Sequence, residues 1–141
     1  MLKSLVYVSS ASGVMSKTEL LKILEKSAIN NSRLEITGML LYYDGTFIQV
    51  LEGEADNVDL IMKQVSNDTR HKDITIVLEE NIKSREFGNW EMGFRFLEDD
   101  EMNKLPGSVN VNELYSYSGN AKQMLKTFYE MNIKSQIKYY F

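Results

Sequence analysis

Two strand-like runs, Ile36–Tyr43 and Thr46–Leu51, stand on either side of Asp44-Gly45, and no other feature constrains the chain as tightly. A two-residue Asp-Gly link accepts the paired positive φ angles of a type I′ turn, so the runs are predicted to close as an antiparallel hairpin. The rest of the chain must be arranged around that hairpin. Leu2–Ser9 reads as a first strand with Leu5, Tyr7 and Ser9 on one face and Val6 and Val8 on the other. Ser16-Lys17-Thr18-Glu19 is a capping box that opens a helix to about Ile29, with Leu20, Leu21, Ile23, Leu24 and Ala28 on its apolar side. A second helix is predicted over Asp56–Asn67, where Val58, Ile61, Met62 and Val65 recur at i, i+3, i+4 and i+7. Ile74–Leu78, continuing toward Lys83, and Glu91–Leu97 read as two further strands. The order βαββαββ predicts an α+β sandwich of the ferredoxin-like kind.

Pro106-Gly107 breaks this pattern, and Ser118 is positioned to cap a last helix with Ala121, Met124, Leu125 and Phe128 on one stripe. That stripe needs an apolar partner. The sheet offers one, because Val6, Val8, Ile48 and Val50 lie opposite Tyr7 and Gln49, and a sheet apolar on both faces must be covered on both. The expectation is a domain over residues 1–97 whose two helices cover one face, and a helical extension over 98–141 that covers the other. A net charge of −4 excludes a global basic field for nucleic acid, and the absence of cysteine excludes disulfides and thiolate chemistry. No stretch approaches the ~18 apolar residues of a membrane helix, and a cytoplasmic protein is expected. The aromatic and cationic residues of Lys134–Phe141 read as a docked or frayed tail, and Glu98–Glu101 as a solvated acidic stretch.

Polar residues sit where a bland core would have none. In the ferredoxin-like order the first and third strands are neighbours, which brings Tyr7 and Gln49 together facing the two helices. Phe47, Gln49 and Leu51 share that face, so Gln49 is an amide in an apolar row. An unpaired buried amide costs roughly 1–3 kcal/mol, so something polar must lie near it: Tyr7, a ligand, or both. Each signal also has a plain structural reading. A Tyr–Gln pair can simply satisfy itself, Asn31 can cap the end of the first helix, Arg70 and His71 suit the end of the second, and Trp90 and Met92 can be core.

Together, the set Tyr7-Val8-Ser9, Asn30-Asn31, Thr37-Gly38, Phe47-Ile48-Gln49-Val50-Leu51-Glu52-Gly53, Asp68-Thr69-Arg70-His71 and Trp90-Glu91-Met92 resembles the BLUF family, sensors of blue light using FAD. The resemblance spans about Leu2–Leu97 and is to the short, stand-alone members. It implies a non-covalent FAD between the two helices, with FMN or riboflavin as alternative flavins. Ile23 and Val65 would wall the ring, with Ser27 and Phe47 as weaker candidates; Asn31 would bond its polar edge, and Arg70 and His71 would lie toward the ribityl and phosphate side. It further implies a photoactive set of Tyr7, Gln49, Ser9, Trp90 and Met92, in which light draws an electron and a proton from Tyr7 and leaves Gln49 rotated or tautomerised. Trp90 and Met92 would carry the change outward. Such a protein is a sensor and not an enzyme, and its output is a changed contact with a second copy or a separate partner. An acylphosphatase-like hydrolase would want an arginine within Ser10–Ser16, where there is none. A flavin oxidoreductase would find Tyr7 and Gln49 crowding the ring edge. A plain interaction module is opposed only by the intact Tyr7–Gln49 pair.

Overall fold

A computed structural model describes residues 1–13, 15–88, 93–97, 102–104, 108 and 119–131. Its elements are β1 (Leu2–Ala11), α1 (Lys17–Arg33), β2 (Thr37–Tyr43), β3 (Thr46–Glu54), α2 (Ala55–Ser66), β4 (His71–Asn81), β5 (Gly93–Phe96), a 3-10 turn (Met102–Lys104) and α3 (Asn120–Tyr129). They form a five-stranded sheet in the order β4-β1-β3-β2-β5. β1 pairs antiparallel with β3 and β4, β2 antiparallel with β3, and β2 parallel with β5. This is the predicted α+β fold: the first four strands take the ferredoxin-like order and β5 extends the sheet beyond β2.

The local signals explain most of these elements. Asp44 and Gly45 take φ of 44° and 82°, as the hairpin turn requires. The Ser16 hydroxyl accepts the Glu19 N–H at 3.2 Å and opens α1. The helix runs past Ile29 to Arg33, so Asn31 is an internal helical residue and not the cap. Termination falls to Glu35, which adopts a left-handed φ of 53°, while Ile36 N–H returns to the Asn31 carbonyl at 2.8 Å. β4 begins at His71 instead of Ile74; it carries two register shifts against β1, and Asp73 stands in the left-handed region at φ 54°. Among the described residues no helix is long and apolar enough to cross a membrane.

The sheet buries apolar residues on both faces. On one, Leu5, Leu51 and Ile36 pack against Val58, Ile61 and Met62 of α2. On the other, Val6, Met39, Leu41, Ile48 and Val50 pack with Phe87 and with Ala121 and Leu125 of α3, and Met124 and Phe128 flank them. The expected C-terminal helix therefore covers the second face. Its N-cap is Gly119, and Ser118, Pro106-Gly107, Glu98–Glu101 and Lys134–Phe141 lie outside the described residues.

α1 is the exception to this packing. Of its 17 residues only Leu20 and Asn31 are buried. Leu20 anchors the first half on Leu40, Phe47, Phe94 and Phe96, with Leu21, Ile23 and Leu24 partly buried beside it. Ala28, expected on the apolar side, is exposed. In the second half of α1 only Asn31 is buried.

Leu125 is fully buried and Leu60, on the outer side of α2, is 44% exposed. In urea denaturation Leu125→Ala is expected to lose about 3 kcal/mol, and Leu60→Ala about 0.5 kcal/mol or less. Equal losses would show that α3 does not seal this face.

Candidate functional site

The gap beneath α1 is a cleft with about 680 Å³ of atom-free space, part of it open to solvent. Each wall comes from one element at that element's own period. α1 contributes Ile23, Lys26, Ser27, Asn30 and Asn31, spaced i, i+3, i+4, i+7, i+8. α2 and its end contribute Ile61, Gln64, Val65 and Asp68 at i, i+3, i+4, i+7. The floor is Tyr7 of β1, Leu40 of β2, and Phe47 and Gln49 of β3, and Arg70 and His71 close one side. Thus every residue singled out for flavin contact in the sequence, namely Tyr7, Ile23, Ser27, Asn31, Phe47, Gln49, Val65, Arg70 and His71, lines one cleft. Lys26, Asn30, Leu40, Ile61, Gln64 and Asp68 also line it and had not been assigned. The helical spacing that starts from Ile23 and Ile61 contains the signal for all but Leu40, which lies directly across from Gln49 in the sheet.

At the floor, Tyr7 and Gln49 are register partners, and the Tyr7 hydroxyl donates to Gln49 Oε1. Burial is the main reason the Tyr7 phenol is pushed well above its usual pKa, with the Asp68 carboxylate adding to it, so the hydroxyl keeps its proton. Asn31 is buried, and its Nδ2 has no partner among the described residues.

The cationic side is already organised. Arg70 Nε donates to both carboxylate oxygens of Asp68, at 2.9 and 3.1 Å, and its backbone N–H donates to Oδ1 at 3.0 Å. These bonds hold the Asp68 carboxyl down to about 2. His71 Nε2 lies 2.8 Å from the Val65 carbonyl, and Nδ1 lies 2.9 Å from Ser9 Oγ. A carbonyl only accepts, so Nε2 carries the hydrogen; in the neutral ring Nδ1 then accepts from the Ser9 hydroxyl. Ser9 is buried behind the cleft and holds His71, whose ring meets the Tyr7 edge at 6.3 Å between centroids. Trp90 and Met92 lie outside the described residues.

A flat aromatic ligand with a polar edge suits this lining. Ile23, Leu40, Ile61 and Val65 offer apolar walls, while the Asn31 amide is a buried donor with no acceptor among the described residues.

The comparisons agree with that chemistry. The model for the family described as sensors of blue-light using FAD matches residues 2–93. The beta subunit of photoactivated adenylate cyclase from Euglena longa is 36% identical over 86 residues, 61% of this chain and 10% of the relative. The alpha subunit from Euglena gracilis is also 36% identical, over 61% of this chain and 8% of its own. The chain thus spans about a tenth or less of the length of these curated relatives. Among solved structures, the dark state of the BLUF protein BlrB superposes with a TM-score of 0.68 at 30% identity, covering 87% of this chain and 89% of that one. A bacterial light-regulated adenylyl cyclase gives 0.69 at 36% identity, covering 99% of this chain and 36% of that one.

The Asp68–Arg70 pair sets an acid limit. The folded pKa of Asp68 is below its usual 3.8, so the pair's contribution is complete above that value and is lost as pH falls toward about 2. The stability difference between wild type and Asp68→Asn should be constant from pH 7 to about 4 and shrink below it. A difference that does not change down to pH 2 would show that the pair does not hold in solution.

Proposed function

The chain belongs to the BLUF family, the sensors of blue light using FAD, and from that premise we propose that it signals by rearranging the hydrogen bonds of Tyr7 and Gln49 at the floor of the cleft. A bound flavin supplies the absorption of blue light and, when excited, the capacity to oxidise a nearby phenol. The chain's own residues do the rest. Ile23, Leu40, Ile61 and Val65 hold the ring by apolar contact, and Asn31 Nδ2 donates to its polar edge. Tyr7 would give up an electron and a proton to that flavin and take both back as the charges recombine. While the phenol is not donating, Gln49 Oε1 loses the Tyr7 bond, and the carboxamide turns about its terminal bond. An amide has a donor end and an acceptor end, so one turn reverses the pattern it presents. The Tyr7–Gln49 bond inside the cleft is the observation that carries this reading.

Arg70 and His71 are expected on the ribityl and phosphate side, and both line the cleft. Arg70 is neutralised by Asp68, and both ring nitrogens of His71 are engaged. Lys26 lines the cleft, is exposed, and has no ion pair or hydrogen bond among the described residues. It is the group best placed to meet a phosphate at the mouth. Residues 1–97 then act as the sensor and 98–141 as its extension. Output passes to a second copy of the chain or to a separate protein, because a few hydrogen bonds are enough to bias an interface.

Purified protein should be yellow and shift reversibly to the red in blue light. Tyr7→Phe and Gln49→Leu should each keep the flavin and abolish the shift; a shift that persists in either variant would remove that residue from the mechanism. Lys26→Gln should weaken FAD and FMN by up to about fivefold at low salt while riboflavin is unaffected. Equal changes for all three flavins would return the phosphate contact to Arg70 or His71.

A further inference from the structure

Glu52 is a fully buried carboxylate that the photochemistry does not use. It lies on β3 three positions beyond Gln49, but on the opposite face, beside Val50 and under α3. Both of its oxygens accept: Oε2 takes the Glu86 N–H at 2.6 Å, and Oε1 takes the Phe87 N–H at 2.7 Å and the Thr37 hydroxyl at 3.3 Å. The Arg85 guanidinium donates to the Glu52 carbonyl at 3.0 Å and to Thr37 Oγ1 at 2.9 Å. Residues 85–87, which follow β4, are therefore clamped to β3 and β2.

The clamped segment in turn holds α3. The N-cap of this helix is Gly119, which has no side chain to offer the first turn. The Glu86 carboxylate fills that role by accepting the Lys122 N–H at 3.1 Å. A Cβ on Gly119 would overlap the same carboxylate, so the glycine is what lets Glu86 approach. The next residue, Phe87, is fully buried in one cluster with Ala121 and Leu125 of α3 and Val6 and Val50 of the sheet.

We propose that Glu52 is the positioning residue that ties α3 to the Gln49 strand, so that a displacement of β3 reaches the first turn of α3 through the Glu86 N–H and the Glu86 carboxylate. This rests on the photosensor reading above. Gln49 and Glu52 are roughly 10 Å apart along a strand bonded on both sides, which moves as a unit. The clamp needs both oxygens as acceptors; burial pushes the Glu52 carboxyl above its usual range, and the Glu86 and Phe87 N–H groups act against that by favouring the ionised form. A glutamine at this position would turn one oxygen into an NH₂ facing a backbone N–H, and one of the two clamps would open.

The experiment is hydrogen exchange on the full flavin-bound chain, in the dark and under blue light. Wild type is expected to show a light-dependent change at the α3 amides. Glu52→Gln should keep the red shift, exchange the α3 amides about tenfold faster in the dark, and lose the light-dependent difference. Glu86→Ala, which leaves the buried clamp intact, should likewise lose the α3 difference and keep the red shift; it decides the question if Glu52→Gln does not fold. A light-dependent α3 difference that survives in either variant would reduce its role to structural support and overturn the proposal. So would a wild-type α3 that is indifferent to light while the red shift is present. A wild type that binds flavin without any red shift would instead fail the photosensor reading itself.

Discussion

The hydrogen bond from Tyr7 to Gln49 crosses between two central strands, under a helix with only two buried residues. A carboxamide there would be costly alone, and so would a phenol. Their partnership requires β1 and β3 to be neighbours in a register that sets residue 7 opposite residue 49. The four-strand order achieves this by sending the β1–β2 and β3–β4 connections over helices, and both helices fall on the same face as the pair. The cleft is a consequence of that geometry: α2 packs closely on β1 and β3, whereas α1 buries only Leu20 in its first half and Asn31 near its end.

Periodicity made much of this legible. The hairpin turn, the capping box at Ser16 and the α2 stripe each carried a local chemical signal that tertiary structure had no reason to override. The two apolar faces of β1 and β3 similarly required a helix beyond the sheet, and Ala121 and Leu125 supply it. The ends of elements were less legible. Asn30, Asn31 and Ser32 are poor helix formers that suit a cap, yet α1 continues through them, because the chain turns only where Glu35 enters the left-handed region. β4 starts early for a comparable reason. His71 bonds to Ser9 of β1, a contact between residues far apart in sequence that no local window contains.

The cleft was legible residue by residue more than as a surface. Individual polar oddities marked Tyr7, Gln49 and Asn31, but Lys26, Asn30 and Gln64 are ordinary solvent-facing types on amphipathic helices. Only the helical phase set by Ile23 and Ile61 identifies them. Sequence also could not say which cations are committed. Arg70 is spent on a carboxylate two residues away, a pairing that any Asp-x-Arg can form or not form according to backbone shape.

A helix with so little of its length covered by the rest of the chain takes its stability from whatever fills the space beneath it. A ligand that binds only the folded form adds about 2.7 kcal/mol when its free concentration is a hundred times its dissociation constant. For a small domain that is a sizeable share of the whole. A flavin bound in the cleft would therefore act as a structural member as well as a light absorber.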